Sequence, residues 1–359
     1  MVEATLTASA PTPVPIHGPV SITEDVAASA WNDYVYSHAD GTVDHRFEWR
    51  DICASVFGHE CTYLAATRGV NVVGVLPLVR FRSRLFGRFV VSLPFLNYGG
   101  LLASDVEARR ALLARATQLT ASFGGTHLEL RHVDRQCDDL PFRSHKLSLT
   151  RALPDSAEAL WTALDKKVRN QVRKAQKEGL TAAEGGAELV DEFYEVFAEN
   201  MRDLGTPVYS RRLFAEVLSH FPGEARVFVV RFGGRPVAAS LVMSWRGVAL
   251  VPWASSLKRY RHLCPNMLLY WSMMESSIAS GNRRFDFGRS SPGSGTHAFK
   301  LQWGAGERPL HWEYALLSRD APPDQGPTNQ RFDLLINLWQ RLPLTMANVL
   351  GPHIVRNIP

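Results

Sequence analysis

Asp286, Ser290, His297 and Lys300 fall within one stretch, Phe285-Asp286-Phe287-Gly288-Arg289-Ser290-Ser291-Pro292-Gly293-Ser294-Gly295-Thr296-His297-Ala298-Phe299-Lys300-Leu301-Gln302-Trp303-Gly304. A carboxylate sits in what reads as a short apolar strand. A Ser/Gly/Pro loop follows, and a lysine returns between apolar neighbours. Glycines let backbone approach a ligand closely, and an ammonium held by packing can neutralise the oxyanion of an acyl transfer. Lys300 is therefore the first candidate catalytic residue, its stem expected to pack beside Phe299 and Leu301. Asp286 is the second, as a base, because it precedes the glycine loop. The bland reading of the stretch is a strand end, a turn and a snorkelling lysine.

Other chemistries find less support. Gly288 to Gly295 is glycine-rich, but no G-K-[ST] follows it, so it is no P-loop, and a Rossmann fingerprint is absent. Ser290, His297 and Asp286 could be imagined as a hydrolase triad, yet the G-x-S-x-G elbow is missing. The cysteines Cys53, Cys61, Cys137 and Cys264 and the dispersed histidines show no metal-ligand spacing. No metal site is expected.

A second constellation is cationic. Between Leu160 and Leu180 the spacing predicts one amphipathic helix, with Trp161, Leu164, Val168, Val172 and Ala175 as its apolar stripe. Lys166, Arg169, Arg173, Lys174 and Lys177 stand away from that stripe, with Asp165 and Glu178 only at the ends. A solvated face is the ordinary explanation of such a run. The one-sided charge makes a phosphate or tRNA surface the functional one.

These residues are carried by two segments of similar pattern. Cys61 to Arg131 reads as strand, glycine hairpin, strand, strand, helix (about Asp105 to Ser122) and closing strand Thr126 to Arg131. Arg226 to Arg289 repeats that order, with a helix from Pro265 to about Ala279 and a closing strand Arg284 to Phe287. Glu129 and Asp286 occupy matching places in the closing strands. Two such units in register predict a duplicated α/β domain. Two or three helices between Leu153 and Phe221 lead into the second unit.

The chain of 359 residues, 45% apolar, can fill two medium domains, and a formal charge of +5 does not suit wholesale coating of nucleic acid. Scattered cysteines fit a reducing cytosol, so the expected location is cytoplasmic. Residues 1–20 read as a loose leader, and no apolar run reaches transmembrane length. Beyond Arg331, Phe332, Leu335, Ile336, Leu338 and Trp339 form an apolar side that Pro343 interrupts. Docking on the body is the expected role of this tail, and peripheral membrane contact the weaker alternative.

Taken together, the motifs resemble the FemAB-type family of peptidyl and acyl transferases, which consist of two GNAT-like domains in tandem. The resemblance is carried by Arg169-Asn170-Gln171-Val172-Arg173-Lys174-Ala175 with Gly179, and by Gly205-Thr206-Pro207-Val208-Tyr209. Pro265-Asn266-Met267-Leu268-Leu269-Tyr270-Trp271, Phe285 to Ser290, Phe299-Lys300 and Trp303-Gly304 complete it. Asn97-Tyr98-Gly99-Gly100 and Gly351-Pro352-His353-Ile354-Val355 are similar to the branch associated with exosortase and PEP-CTERM systems. The resemblance implies transfer of an aminoacyl or acyl group to an amine of a cell-envelope or exopolysaccharide-related acceptor. The donor would be aminoacyl-tRNA or acyl-CoA, with no tightly bound cofactor. It implies the Phe-Lys pair, here Phe299 and Lys300, at the reacting centre. One departure concerns the donor. Where GNAT enzymes hold the CoA diphosphate on a [QR]-x-x-G-x-[GA] loop, Arg259 to Asn266 has no glycine.

The expected organisation is thus a first GNAT-like domain over 21–150, a second over 151–319 bearing the active site, and a tail over 320–359. Substrate contacts are expected from Asn97, Tyr98, Tyr209, Arg211, Trp253, Asn266, Tyr270, Arg289, Ser290, Phe299 and Trp303. The aromatic ones among them suit a pocket wall or the core equally. The rival reading is a non-catalytic protein that binds an anionic envelope polymer or RNA through the basic helix.

Overall fold

A computed structural model describes residues 18–83, 87–323 and 330–358, without side-chain detail for 330–334. Most of the expected leader, and the side chain of Phe332, lie outside the described residues.

The chain begins with β1 (Ser21–Thr23), α1 (Ala28–Ser37), α2 (Trp49–Phe57), β2 (Glu60–Arg68), β3 (Asn71–Ser83) and β4 (Gly87–Val91). It continues with β5 (Leu102–Ala103), α3 (Val106–Ser122), β6 (His127–His132), β7 (Phe142–Arg143) and β8 (Leu147–Ala152). Then come α4 (Ala157–Ala163), α5 (Lys166–Lys177), β9 (Thr181–Gly185), α6 (Val190–Asp203) and α7 (Arg211–His220). The second unit follows as β10 (Ala225–Phe232), β11 (Arg235–Trp245), β12 (Val248–Ser256), α8 (Pro265–Ala279) and β13 (Arg284–Ser290). The chain closes with α9 (Gly295–Leu301), β14 (Gly306–Pro309), β15 (His311–Leu316), α10 (Gln330–Gln340) and α11 (Leu344–Val355).

Two mixed sheets result. The first runs β1-β2-β3-β4-β6-β15-β7 with β5 on β3, and the second runs β14-β8-β13-β12-β11-β10-β9. Their centres repeat one design. An antiparallel hairpin leads to a strand that pairs in parallel with the closing strand beyond a helix. The parallel contact is brief in both sheets. It spans Val90↔Leu128 and Val91↔Glu129 in the first, and Val248↔Arg284 to Leu250↔Asp286 in the second. Beyond these pairs the strands separate, and in the second sheet an irregularity opposite Leu241 to Met243 turns β12 away.

Two elements differ from the sequence expectation. The helix over Leu160 to Leu180 is split, because Leu164 and Asp165 are extended (ψ 146° and 144°). The break lets Leu164 turn into the core and leaves Asp165 beside the positive end of α5. The strand β15, expected with the second unit at 151–319, hydrogen-bonds to β6 and β7 of the first sheet. In exchange β8, from the end of the expected first unit, lies between β13 and β14 of the second. Periodicity finds a strand but does not name its partner.

The largest core draws on both sheets. Tyr63, Val79 and Phe81 of the first share it with Val229, Leu241 and Trp253 of the second, with Trp31, Trp49, Phe193 and Phe214 between them. Each such side chain contributes roughly 2 kcal/mol by burial, so the two halves are joined by a core rather than a hinge.

The tail helices dock. Gln340 donates to the Asp203 carbonyl (3.1 Å), His59 Nε2 meets the Arg356 carbonyl (2.8 Å), and Gly351 lies so close to Val208 that an added Cβ would sit 2.8 Å from its backbone nitrogen. Leu335, Leu338, Met346 and Val349 remain exposed. Among the described residues no helix is long and apolar enough to cross a membrane.

Candidate active site

The place where β12 and β13 part is reached from the first half of the molecule. The segment after β4, around Leu96 to Tyr98, crosses to the second sheet and is held there by Asp44. One carboxylate oxygen of Asp44 accepts the backbone N–H groups of Asn97 (3.2 Å) and Tyr98 (2.9 Å). Burial raises the Asp44 carboxyl to about 7, and nearby Asp286 adds to the rise. The crossing explains Gly288, whose φ is 72°. A Cβ there would lie 2.9 Å from the Val251 carbonyl and 3.1 Å from the Asn97 amide nitrogen.

Tyr98 delivers its hydroxyl to Asp286 (2.7 Å), and Ser148 of β8 donates in turn to the tyrosine oxygen (2.7 Å). The other Asp286 oxygen accepts Gly288 N–H (2.8 Å). Burial raises the Asp286 carboxyl above the ordinary aspartate range, against the opposing pull of Tyr98, Gly288 and Lys300. Burial, then Asp286, also pushes the Tyr98 phenol far up, so it acts as a donor.

Lys300 is carried by the short helix α9 and is 7% exposed. Its ammonium donates to the carbonyls of Gly288 (3.1 Å) and Arg289 (2.9 Å), which leaves one N–H of three for another acceptor. Burial lowers it to about 8; Asp286 opposes that shift and Arg289 reinforces it. Under it, Tyr270 packs against Phe299 (4.9 Å), Phe287 (5.8 Å) and Trp303 (6.2 Å). Arg289 donates to the Leu96 carbonyl (3.1 Å) and is lowered to about 10, chiefly by burial.

A cavity of about 460 Å³ opens between the halves, lined by Tyr98, Ser148 and Asp286 on one side and by Arg131 and His132 of β6 on another. Lys300 does not line it.

The remaining expected contacts divide. Asn97, Tyr98, Asp286, Gly288, Arg289 and Lys300 are brought together. Ser290 is buried beside them with its hydroxyl unpaired by protein, and Asn266 is half-buried at the start of α8. Trp253 belongs to the shared core against Phe214 (5.3 Å), and Tyr209 packs on Phe57 and Phe95 (6.0 Å each). Arg211 is exposed and paired with Asp191, away from the cavity. Lys166, Arg173 and Lys174 are exposed on α5, and Arg169 is half-buried there. The imagined hydrolase triad does not assemble, since His297 pairs with Glu307 while Asp286 is engaged by Tyr98. Asp44, Ser148 and Arg131 are site residues that carry no local motif. Only the fold brings them here.

The segment before α8 offers little to a CoA diphosphate. Residues Lys258–Leu263 form a 3₁₀ turn, Tyr260 and Cys264 spend their N–H groups on Leu257 and Arg261, and Pro265 has none. Among the described residues no cluster of three or more His, Cys, Asp or Glu is placed to hold a metal ion.

Comparison with known proteins agrees with this architecture. Residues 164–301 match the family model described as an acetyltransferase (GNAT) domain. The crystal structure of FemX superposes with a TM-score of 0.63 at 14% identity, covering 83% of this chain and 98% of that one. A tandem GNAT protein from the clavulanic acid biosynthesis pathway gives 0.51 at 13% identity, over 85% of this chain and 100% of that one. The fold is a tandem of two GNAT domains. The C-terminal domain of a putative lysylphosphatidylglycerol synthetase from Agrobacterium fabrum has the same fold, with a TM-score of 0.55 at 13% identity over 80% and 91% of the two chains. No curated protein matches the sequence. In both GNAT halves the acidic residue, Glu129 or Asp286, is the last one paired before the parallel strands part.

Proposed function

We propose that this tandem GNAT protein is a cytoplasmic acyltransferase that moves an aminoacyl or acyl group onto an amine, the acceptor entering the cavity between the halves. The observation that carries the reading is Asp286, a buried carboxylate with a raised pKa, fixed by Tyr98 from the opposite half and facing that cavity. As a carboxylate it takes a proton from the acceptor ammonium. The freed nitrogen lone pair then attacks the acyl carbonyl carbon. A C–N bond forms, the carbonyl electrons move to oxygen, and Lys300 is assigned to that oxyanion through its remaining N–H. Collapse breaks the C–O bond of an aminoacyl ester or the C–S bond of a thioester, and the amine's second proton leaves with the departing group.

Two features favour aminoacyl-tRNA over acyl-CoA as donor. The segment before α8 lacks a diphosphate cradle, and α5 presents exposed Lys166, Arg173 and Lys174 to a polyanion. An envelope-precursor amine as acceptor is supported by the motif resemblance, as is any link to exopolysaccharide or PEP-CTERM systems. The test is a mass-spectrometric transfer assay offering aminoacyl-tRNA and acyl-CoA side by side to cell-envelope extracts. Lys300→Ala should lower turnover about 100- to 1,000-fold. Full turnover in a folded Lys300→Ala protein removes the assignment.

The basic face of α5 also supports a second reading, a non-catalytic protein that holds an anionic envelope polymer or RNA. Strongly salt-dependent binding with no transfer from either donor would favour it.

A further inference from the structure

The last helix of the chain docks with its large apolar residues outward. On α11 the residues turned to the body are Ala347, Gly351 and Val355, and Gly351 lies close against Val208. Met346, Val349, Leu350 and Ile354 are instead 40–65% exposed, at the i, i+3, i+4 and i+8 spacing of one helix face. An amphipathic helix that only covers a protein core does the opposite.

The neighbouring helix extends the feature. On α10, Ile336 packs against Gly205 and Trp339 is half-buried, while Leu335 and Leu338 are exposed. Both helices lie on α6, whose C-terminal cap Leu204 is exposed as well. Single exposed apolar residues are ordinary, but such a cluster on adjoining elements marks a surface that something covers.

The charge around it says what. Asp333 is the last acid of the chain, and the residues after it carry Arg341, His353 and Arg356 as their only ionisable side chains. Arg341 and His353 are exposed, and neither has a carboxylate partner among the described residues. The acid at the end of α6, Asp203, is taken by Arg202. A second copy of the chain is a poor fit, because a two-fold contact would lay this patch on itself and oppose cations with no acid between them. A surface that is apolar within and anionic at its boundary matches both features.

We propose that the outward face of α10 and α11 seats the protein on a lipid bilayer bearing anionic head groups. The apolar side chains enter the acyl boundary, and Arg341 and His353 meet the head-group phosphates. The helices lie along the bilayer, since among the described residues no helix is long and apolar enough to cross it. This surface stands apart from the cavity and does not depend on the acyltransferase reading.

Co-sedimentation of the full chain with vesicles tests this, using pure phosphatidylcholine and a mixture of phosphatidylcholine with phosphatidylglycerol. The mixed vesicles should bind at least about tenfold more tightly, and added salt should weaken that binding. Leu338→Asp combined with Val349→Asp alters exposed positions only, and should lower binding to the mixed vesicles at least about tenfold. Arg341→Gln should cost several-fold on the mixed vesicles and nothing on the neutral ones. Val70→Asp, on the exposed turn between β2 and β3, should change neither. Absence of wild-type binding to the mixed vesicles overturns the proposal, as does a Val70→Asp loss equal to that of the double variant. A wild-type dimer in light scattering that the double variant dissociates gives the face to a second copy and overturns it too. Vesicle binding without transfer from any donor would leave this inference standing and remove the acyltransferase reading. Transfer by a protein that ignores vesicles would do the reverse.

Discussion

Glu129 and Asp286 occupy the same position in two copies of one sheet, yet they lead different lives. Glu129 is wholly buried and salt-bridged to Arg131 two residues along its own strand, beneath the ring of Trp312. Asp286 has Phe287 and Gly288 in the corresponding places, so no cation of its own strand forms an ion pair with it, and Arg284 acts on it only through its field. Its support comes from elsewhere: Tyr98 from the first half, itself held by Ser148 of β8, and the field of Lys300. The repeat places an acid at each strand separation, and the neighbour two residues on decides whether that acid is ion-paired within its own strand. In the first half the arginine consumes it. In the second a glycine in the same place leaves room for the loop that completes the site.

The strongest way to break this contrast is Asp286→Asn. Transfer should fall about 100- to 10,000-fold, the range of a lost general base, while thermal unfolding shows a protein at least as stable at neutral pH. The sign follows from the raised pKa. Native Asp286 holds its proton above the ordinary aspartate range, so the wild type loses stability as pH rises from that range through the native pKa. Asparagine removes this loss, and denaturant titrations at pH 4 and 7 would read it. A stability penalty equal to that of Glu129→Gln would mean that both acids are structural.

Glu129→Gln should act in the opposite sense. It leaves the Arg131 guanidinium buried without its counter-charge, a change that costs about 3–5 kcal/mol, readable as a lower urea midpoint.

A third measurement separates the roles of charge in the second half. Lys300 deprotonates at about 8, so a rate that needs the ammonium should decline as pH rises through that value. A rate that climbs through pH 8 would make Lys300 a base instead. Lys300→Arg should move the alkaline limb upward.

The smallest effect is expected for Tyr98→Phe. It removes one hydroxyl between Asp286 and Ser148, worth about 1 kcal/mol, or up to roughly tenfold in turnover. The analogous removal in the first half, Tyr314→Phe on β15, should leave turnover unchanged, since its hydroxyl meets Glu129 rather than Asp286.

Much of this arrangement is legible in the sequence because it is local. The span of α8 follows from Pro265 at its first position and the turn at Gly281, and the hairpins from Gly69 and Gly233-Gly234. The packed stem of Lys300 is signalled by Phe299 and the aromatic residues nearby. The break at Leu164 is hidden, since the apolar stripe runs through it in helical register and only packing reveals the two extended residues. Asp44, Ser148 and Arg131 are invisible for another reason. Each is an ordinary residue in its own segment, and its meaning comes from a partner far along the chain. Arg211 and Trp253 show the reverse error, conspicuous residues that the fold assigns to an exposed ion pair and to the core.

The exchange of β8 and β15 between sheets has a consequence for biosynthesis. The first sheet stays two strands short, because β7 pairs only with β15, and the far edge of β6 is bare until His311–Leu316 has left the ribosome. Throughout synthesis of the second half the nascent chain therefore carries an adhesive strand edge that a chaperone or α/β neighbour would cover. Neither half can be released as a finished unit by cutting the gene between them. The chain matures in one late step, when its last strand is laid between β6 and β7.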